Sequence, residues 1–192
     1  MSSTKAGIII LAAPSGGGKS TMARRLLADY SRIRFSVSAT TRAPREGETD
    51  GKEYHFLSKQ EFTEKIRNDA FLEWEEFYNG TMYGTLKEAV ESELKKGYFI
   101  VLDIDVLGAI NVKKMYGDQA LAVFIKPPSM DVLEDRLRNR GTESDQSLTL
   151  RLKRAKKEID YAGKFDVVVV NDKIETAYSE IKTAVEQFIS KF

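Results

Sequence analysis

The chain has 192 residues, the length of one domain or of one domain with insertions, and a chain of this size buries roughly 70% of its unfolded surface. Lys and Arg number 30 against 29 Asp and Glu, so no overall charge attracts the protein to nucleic acid or to an anionic membrane, and we expect neither as a partner. The chain has no cysteine and one histidine, His55, which excludes disulfide scaffolds, thiolate zinc sites and histidine-based hydrolytic triads.

The first predicted element is a buried strand at residues 8–12. This apolar run has a length that suits a strand buried in a sheet and is too short for a typical helix. A secretory signal is disfavoured here, because the run is short and Lys5 is the one basic residue before it. No run approaches the ~20 apolar residues of a membrane span. We therefore expect a cytoplasmic protein.

A glycine-rich loop follows this strand and precedes a helix predicted over residues 22–30. Its sequence is Ala13-Pro14-Ser15-Gly16-Gly17-Gly18-Lys19-Ser20-Thr21. Glycines let backbone N–H groups surround phosphate oxygens, and the helix N-terminus adds a partial positive charge. Lys19 is expected to reach the β and γ phosphates, and Ser20 to join a Mg²⁺ shell. The pattern predicts a nucleoside triphosphate site; the alternative is a turn that only joins strand to helix.

The next segment, which we call the lobe (residues 35–84), is rich in Ser, Thr, Gly and aromatic residues, with short strands predicted near 35–38 and 54–57. Arg42 and Arg45 in its hydroxyl-rich first part fit a small phosphate monoester through forked hydrogen bonds. A solvated basic loop is the alternative. His55 is expected to be an ordinary packed or solvent-facing residue.

Further along the lobe, residues 71–77 alternate bulky apolar side chains with acids, as either a helix or a strand. A carboxylate such as Glu73 can accept from N1–H and the amino group of guanine, while Ser38 or Thr85 can donate to O6. Adenine would leave that carboxylate unpaired. The alternative for Glu73 is an ordinary acidic surface. Glutamates three residues after Ser58 and Thr85 predict two capping boxes.

A second buried strand, predicted at residues 98–104, ends in Asp103-Ile104-Asp105. Asp103 is expected to be the acid on the metal side of the site, and the alternative is that it caps the following helix. Asp105 and Gly108 also fit the D-x-x-G pattern of GTPase switches. However, the segment around Asn171 lacks the Asn-Lys-x-Asp pattern with which GTPases usually read guanine.

After a third strand at residues 121–125 comes a helical, arginine-dense segment, the lid (residues 127–164), for which Ser129 is a predicted N-cap. An acceptor that is itself a phosphate needs no catalytic base, and arginines closing over it would stabilise the transferring group. Arg136 and Arg140, four residues apart, are predicted to share one helix face, and Arg151 to begin the next helical segment. A solvated helix face is the alternative.

The last elements are a strand at residues 167–170 and a helix over residues 181–192. Strands that alternate with helices predict an α/β fold with a parallel sheet covered on both faces. We expect a single domain over residues 5–192. Its core would comprise about 5–34, 85–126 and 165–192, interrupted by the lobe and the lid.

Taken in order, the motifs resemble those of the guanylate kinase family, P-loop kinases that move the γ-phosphate of ATP onto GMP. The resemblance covers nearly the whole chain and rests on APSGGGKST, SVSATTRAPREGE with DGKEYHF, FLEWEEF, MYGT, LDID, RLRNRGTES and VVND. It implies a P-loop kinase fold with a mixed α/β GMP-binding lobe and a helical lid, Mg²⁺ as cofactor, dGMP as a second acceptor, and a role in purine nucleotide metabolism and GMP recycling.

The resemblance also implies roles for individual residues. The transferring phosphoryl group would be stabilised by Lys19, Arg42, Arg136, Arg140 and Arg151. The GMP phosphate would be held by Arg42, Arg45, Tyr54 and Tyr83, and guanine would be read by Ser38, Glu73, Thr85 and Asp105. Asn171 would lie near the adenine of ATP, and Ser20 with Asp103, the latter through water, near the metal.

Three positions depart from the common family pattern. Ala13 replaces the first loop glycine, Met82 stands where a tyrosine is frequent, and Leu107 stands where a glutamine is frequent. Met82 is expected to remove one hydroxyl from the GMP site. Two alternatives remain: a non-catalytic guanylate-kinase-like binding module, against which the intact Lys19 and Ser20 argue, and a kinase for another nucleoside monophosphate, against which Glu73 and Ser38 argue.

Overall fold

The computed structural model describes residues 6–77, 80–139 and 145–192. The strands are β1 (Ile8–Ala12), β2 (Ile33–Phe35), β3 (Ala39–Thr40), β4 (His55–Phe56), β5 (Phe71–Glu76), β6 (Met82–Leu86), β7 (Phe99–Asp103), β8 (Ala120–Lys126) and β9 (Val167–Val170). The helices are α1 (Lys19–Asp29), α2 (Lys59–Arg67), α3 (Lys87–Lys95), α4 (Val106–Tyr116), α5 (Met130–Arg138), α6 (Asp145–Ile159) and α7 (Ile174–Ile189).

A five-stranded sheet with the order β2-β7-β1-β8-β9 forms the centre of the molecule, and all of its pairings are parallel. The middle strand, β1, is fully buried, as its uninterrupted apolar run predicts. Apolar residues of α1 and α7 cover one face of the sheet, and those of α3 and α4 cover the other. The predicted α/β fold with a parallel sheet is confirmed.

A smaller sheet, which we call the lobe sheet, has the order β4-β3-β6-β5. Strands β5 and β6 run antiparallel, and β3 pairs with β4 in parallel. Helix α2 packs on this sheet through Phe62, whose ring stacks on Phe71 at a centroid distance of 4.4 Å. The alternating residues 71–77, left open as helix or strand by the sequence, thus form mainly an edge strand of the lobe sheet.

Of the three helix starts predicted from capping residues, two are confirmed and one is wrong. Ser58 accepts from the Glu61 amide, and the Glu61 side chain accepts from the Ser58 amide, so this capping box is confirmed. The Ser129 hydroxyl likewise caps α5 by accepting from the Val132 amide. The capping box predicted at Thr85 is wrong. Helix α3 begins after Leu86, which provides no side-chain cap, and the Thr85 hydroxyl donates to Glu73 instead of to the helix start.

The strand predicted at residues 35–38 does not form as predicted. Strand β2 ends at Phe35 and belongs to the central sheet, where it pairs with β7. A short connection without regular structure leads to β3 in the lobe sheet. Within the described ranges, no helix has the length and apolar character needed to cross a membrane.

Candidate active site

The glycine loop between β1 and α1 has a shape that requires glycine. Gly16 and Gly18 have φ values of 90° and 101°, a region that side chains disfavour. A Cβ on Gly18 would lie 2.5 Å from Asn171 Nδ2, and one on Gly17 would lie 2.7 Å from Ala13 Cβ. Asp69 is the one non-glycine residue of the described ranges with positive φ, so Ala13 fits the position where the general pattern has glycine.

Lys19, Ser20 and Asp103 meet where the carboxyl ends of β1 and β7 lie side by side. The Lys19 ammonium donates to the Ala13 carbonyl at 3.0 Å and lies 3.8 Å from Asp103 Oδ1. The Ser20 hydroxyl donates to Asp103 Oδ2 at 2.7 Å. Asp103 does not cap α4; Asp105 does, by accepting from the amides of Leu107 and Gly108.

Residues far along the chain hold this loop in place. The Asn171 side chain is buried and donates to the Gly17 carbonyl at 2.9 Å. Arg136 of α5 donates to the Asn171 carbonyl at 2.9 Å, and Arg151 of α6 donates to the Ser15 hydroxyl, also at 2.9 Å. Two arginines of the lid therefore lie at the glycine loop (residues 13–21), which is called the phosphate loop below after its proposed ligand.

A second cationic group lies in the lobe. Both terminal nitrogens of Arg42 donate to the Glu48 carboxylate, at 2.8 and 2.9 Å, and the guanidinium lies 5.3 Å from the Tyr54 ring. The hydrogen bonds with Glu48, which has the larger effect, and with Tyr83 raise the pKa of Arg42. Those with Arg42 and with the Arg45 amide lower the pKa of Glu48 to about 2. The side chain of Arg45 is exposed.

A carboxylate cluster lies beside the first turn of α4. The Thr85 hydroxyl donates to Glu73 Oε1 at 2.6 Å. A Cβ on Gly108 would lie 2.8 Å from Asp105 Oδ2 and 3.0 Å from Glu73 Oε2, so the two acids share this space. Burial, with a smaller effect from the negative charge of Asp105, raises the pKa of Glu73 to about 7 despite the hydrogen bond from Thr85. Ser38 is half-buried in the connection to β3.

Comparison with known proteins gives a consistent result. The family model for guanylate kinase matches residues 5–188. A guanylate kinase of Chlorobium luteolum is 49% identical over 95% of this chain and 92% of its own length, and one of Porphyromonas gingivalis is 49% identical over 96% and 98%. The chain belongs to the guanylate kinase family. A crystal structure of guanylate kinase from Anaplasma phagocytophilum has 33% identity, a TM-score of 0.74 and coverage of 96% of this chain and 86% of that chain.

Membership in the guanylate kinase family makes the protein a nucleoside monophosphate kinase, a phosphotransferase. It confirms the predicted P-loop kinase fold and the predicted enzyme class.

The structure groups the residues that the sequence singled out. Loop residues 13–21 lie together with Asp103, Arg136, Arg151 and Asn171. A second group comprises Arg42, Tyr54 and Tyr83; Arg45 is linked to it through its backbone amide, which donates to Glu48. A third group comprises Glu73, Thr85 and Asp105. Arg140 lies outside the described residues, so its predicted place on the face of Arg136 stays a prediction.

Two expectations about single residues need correction. Arg151 lies in the middle of α6 and does not begin it, because the helix starts at Asp145. Met82 is buried in the small core of the lobe with Phe62 and Phe71, since strand alternation directs it to the face opposite Tyr83. Its side chain therefore does not take the place of a tyrosine hydroxyl in the site.

Sequence reasoning also missed several groups. Glu48, the partner of Arg42, follows it by six residues in an irregular loop, a spacing with no helical or strand meaning. The segment from Asp105 to Gly108, which also fits a GTPase switch in sequence, is an N-cap followed by a glycine that makes room for two carboxylates. The contact of Asn171 with the loop joins residues 154 positions apart, and no local pattern indicates it.

Proposed function

We propose that the enzyme transfers the γ-phosphate of Mg-ATP to GMP, giving ADP and GDP, and that dGMP is also an acceptor because it has the same base and phosphate. The observation that carries this proposal is the grouping of Glu73, Thr85 and Asp105 into one partly buried polar cluster. Relatives named guanylate kinase at 49% identity support it. GMP recycling in the cytoplasm is the corresponding metabolic role.

The donor site is the glycine loop. Its amides and the N-terminus of α1 bind the phosphates of ATP, and Lys19 turns from the Ala13 carbonyl toward the β and γ phosphates. Ser20 and Asp103 offer hydroxyl and carboxylate oxygens, the ligands that Mg²⁺ prefers. Within the described ranges no cluster of three or more His, Cys, Asp or Glu could hold a metal alone, which suits an ion bound chiefly by nucleotide phosphates and water. When bound, Mg²⁺ neutralises charge on the phosphates.

The acceptor phosphate binds among Arg42, Arg45, Tyr54 and Tyr83. Two guanidinium groups provide forked donors for phosphate oxygens, and the tyrosine hydroxyls add single hydrogen bonds. Glu48 keeps Arg42 oriented. An acceptor phosphate that is already ionised attacks directly, so the site needs no general base.

Guanine binds against the carboxylate cluster. As a carboxylate, Glu73 accepts from N1–H and the 2-amino group, and Asp105 provides a second acceptor beside it. The Ser38 hydroxyl serves as a donor toward O6, and the Thr85 hydroxyl can do so only when its hydrogen bond to Glu73 is exchanged for one to the base. Adenine carries an acceptor at N1 and no 2-amino group, so it would leave a buried carboxylate unpaired.

Stabilisation of the transferring group is assigned to Lys19 and to the arginines of the site, Arg42, Arg136, Arg140 and Arg151. Negative charge from ATP and GMP converges at the phosphoryl group, and cations in a site that excludes water stabilise its equatorial oxygens. For Arg136 and Arg151, the contacts with Asn171 and Ser15 at the phosphate loop support this assignment. Asn171 is assigned to the adenine side of the donor site.

The test is ADP formation from Mg-ATP with GMP, dGMP, AMP, CMP, UMP and no acceptor, measured in parallel and repeated with EDTA. The proposal predicts turnover with GMP and dGMP that stops when EDTA removes the metal. Equal turnover with AMP would contradict the assignment of the guanine site. Binding of ATP without turnover on any acceptor would favour a non-catalytic binding module instead.

A further inference from the structure

Arg154 joins the lid to the lobe sheet. Its Nη2 lies 2.7 Å from Glu75 Oε1 on β5, and its Nε donates to Glu158 Oε1 one turn along α6, at 2.7 Å. The guanidinium also lies 5.5 Å from the centroid of the Phe77 ring. Thus one side chain of α6 contacts both a carboxylate and an aromatic ring of the lobe.

Glu75 depends on this contact. Its side chain is 28% exposed, and its other oxygen, Oε2, is buried with no hydrogen-bond partner in the described part of the chain. A half-buried carboxylate that loses its partner cation is costly. We therefore expect the edge of the lobe sheet to rearrange when Arg154 leaves.

The partners of Arg154 are direct neighbours of the acceptor site. Glu75 lies opposite Tyr83 in the register of β5 and β6, and Glu73, two residues before it, lies opposite Thr85. The Phe77 ring contacts the Tyr83 ring edge-to-face at 5.3 Å. Through Glu75 and Phe77, Arg154 supports the side of the acceptor site that carries Tyr83 and Glu73, which we call the acceptor wall.

Helix α6 also contacts the donor site, through a second arginine. Arg151 precedes Arg154 by three residues, so both lie near one face of α6, and Arg151 donates to Ser15 in the phosphate loop. Helix α6 is thus attached to the phosphate loop by one arginine and to the acceptor wall by another.

We propose that Arg154, through Glu75 and Phe77, is a positioning residue that couples occupancy of the phosphate loop to GMP binding. This inference rests on the proposed function of the two sites. A donor nucleotide that engages Arg151 holds α6 in place, and Arg154 then holds the Tyr83 and Glu73 wall in the geometry that GMP needs. Arg154 itself touches neither substrate.

The experiment measures the dissociation constant of GMP with and without a saturating, non-hydrolysable Mg-ATP analogue. Trp74, the single tryptophan of the chain, is 45% exposed on β5 between Glu73 and Glu75, so its fluorescence reports on this strand; calorimetry gives a second readout. The variants are Arg154→Ala, Arg154→Lys and Glu75→Gln. Glu175→Gln is the matched control, because Glu175 also pairs with an arginine from another element, Arg25.

In the parent enzyme the analogue should tighten GMP binding at least about fivefold, the lower end of typical coupling between sites. Arg154→Ala and Glu75→Gln should each reduce this to less than about twofold, with analogue binding in the absence of GMP unchanged. Arg154→Lys should restore part of the coupling, because the charge remains, and the control should keep all of it.

Full coupling in natively folded Arg154→Ala and Glu75→Gln would overturn the proposal. If Arg154→Ala fails to fold, the nearly isosteric Glu75→Gln decides. A parent enzyme that turns over GMP without any coupling would overturn this proposal alone, whereas absence of turnover with GMP would contradict the proposed function.

Discussion

The phosphate loop and the lobe sheet differ in what holds their functional groups in place. In the loop, backbone conformation and a buried amide do so: Gly16 and Gly18 adopt positive φ, and Asn171 holds the Gly17 carbonyl. In the lobe, the groups are charged side chains held by one another, such as Arg42 by Glu48 and Glu75 by Arg154.

Under the proposed function, this difference separates binding of the donor nucleotide from selection of the acceptor. A loop shaped by backbone is ready for any triphosphate, because amides recognise phosphate and not base. A wall of paired and partly buried charges is selective, since each unpaired group in a wrong complex is penalised. It is also sensitive to pH and to the loss of a single partner.

The largest effect is expected at the loop. Lys19→Ala should lower kcat with GMP by about 10³-fold or more, because it removes a positive charge from the transferring phosphate. Thermal unfolding should change little, since no buried apolar contact is lost. Lys96→Ala, which removes an exposed lysine that follows α3 and pairs with Glu93, serves as the control. A kcat within about tenfold of the parent would contradict the donor-site assignment.

A smaller, pH-dependent effect is expected in the lobe. Burial raises the pKa of Glu73 to about 7, so the Glu73 side chain is mostly protonated at pH 6 and mostly ionised at pH 8. GMP binding should therefore strengthen about tenfold as pH rises through this range.

The measurement is KM for GMP against pH in the parent and in Glu73→Gln. The variant corrects for the GMP phosphate, which titrates near pH ~6 itself, and it should show the weaker dependence. Parallel profiles for both enzymes would show that Glu73 does not titrate in the site. The same raised pKa predicts that the Glu73 contribution to the free energy of unfolding falls as pH rises from about 4.5, the ordinary pKa of the group, to about 7.

The smallest effect on binding is expected for Met82→Tyr, which restores the residue frequent in the family. Met82 is buried with Phe62 and Phe71, so the larger ring should destabilise the fold by about 1–3 kcal/mol and leave KM for GMP unchanged. Thermal unfolding and steady-state kinetics check both parts. A clear fall in KM would mean that a tyrosine at this position does reach the acceptor site.

Much of the central sheet could be predicted from the sequence, because its buried parallel strands are continuous apolar runs. The bounds of β1 and β9 agree with the prediction, and those of β7 and β8 differ from it by one residue at each end. The lobe was harder. The strand predicted near residues 54–57 corresponds to β4. Strand β3, however, has two residues, too few for a periodic pattern, and the Thr85 hydroxyl that fits a capping box is used by Glu73 instead.

The site was predictable where a motif and its chemistry coincide in sequence. The loop around Lys19 is such a case, because one strand, one turn and one helix contain it. The contacts of Arg42 with Glu48, of Asn171 with Gly17 and of Arg154 with Glu75 were not predictable. They depend on how separate segments pack together, and no local spacing encodes that packing.

The most direct test of the account is the ratio of kcat/KM for GMP to that for AMP, measured with Mg-ATP in the parent enzyme and in Glu73→Gln. The account predicts that the substitution lowers this ratio by about 100-fold or more, while the variant remains folded and its kcat with GMP falls less than the ratio. An unchanged ratio in a folded variant would contradict the claim that the partly buried carboxylate of Glu73 selects guanine.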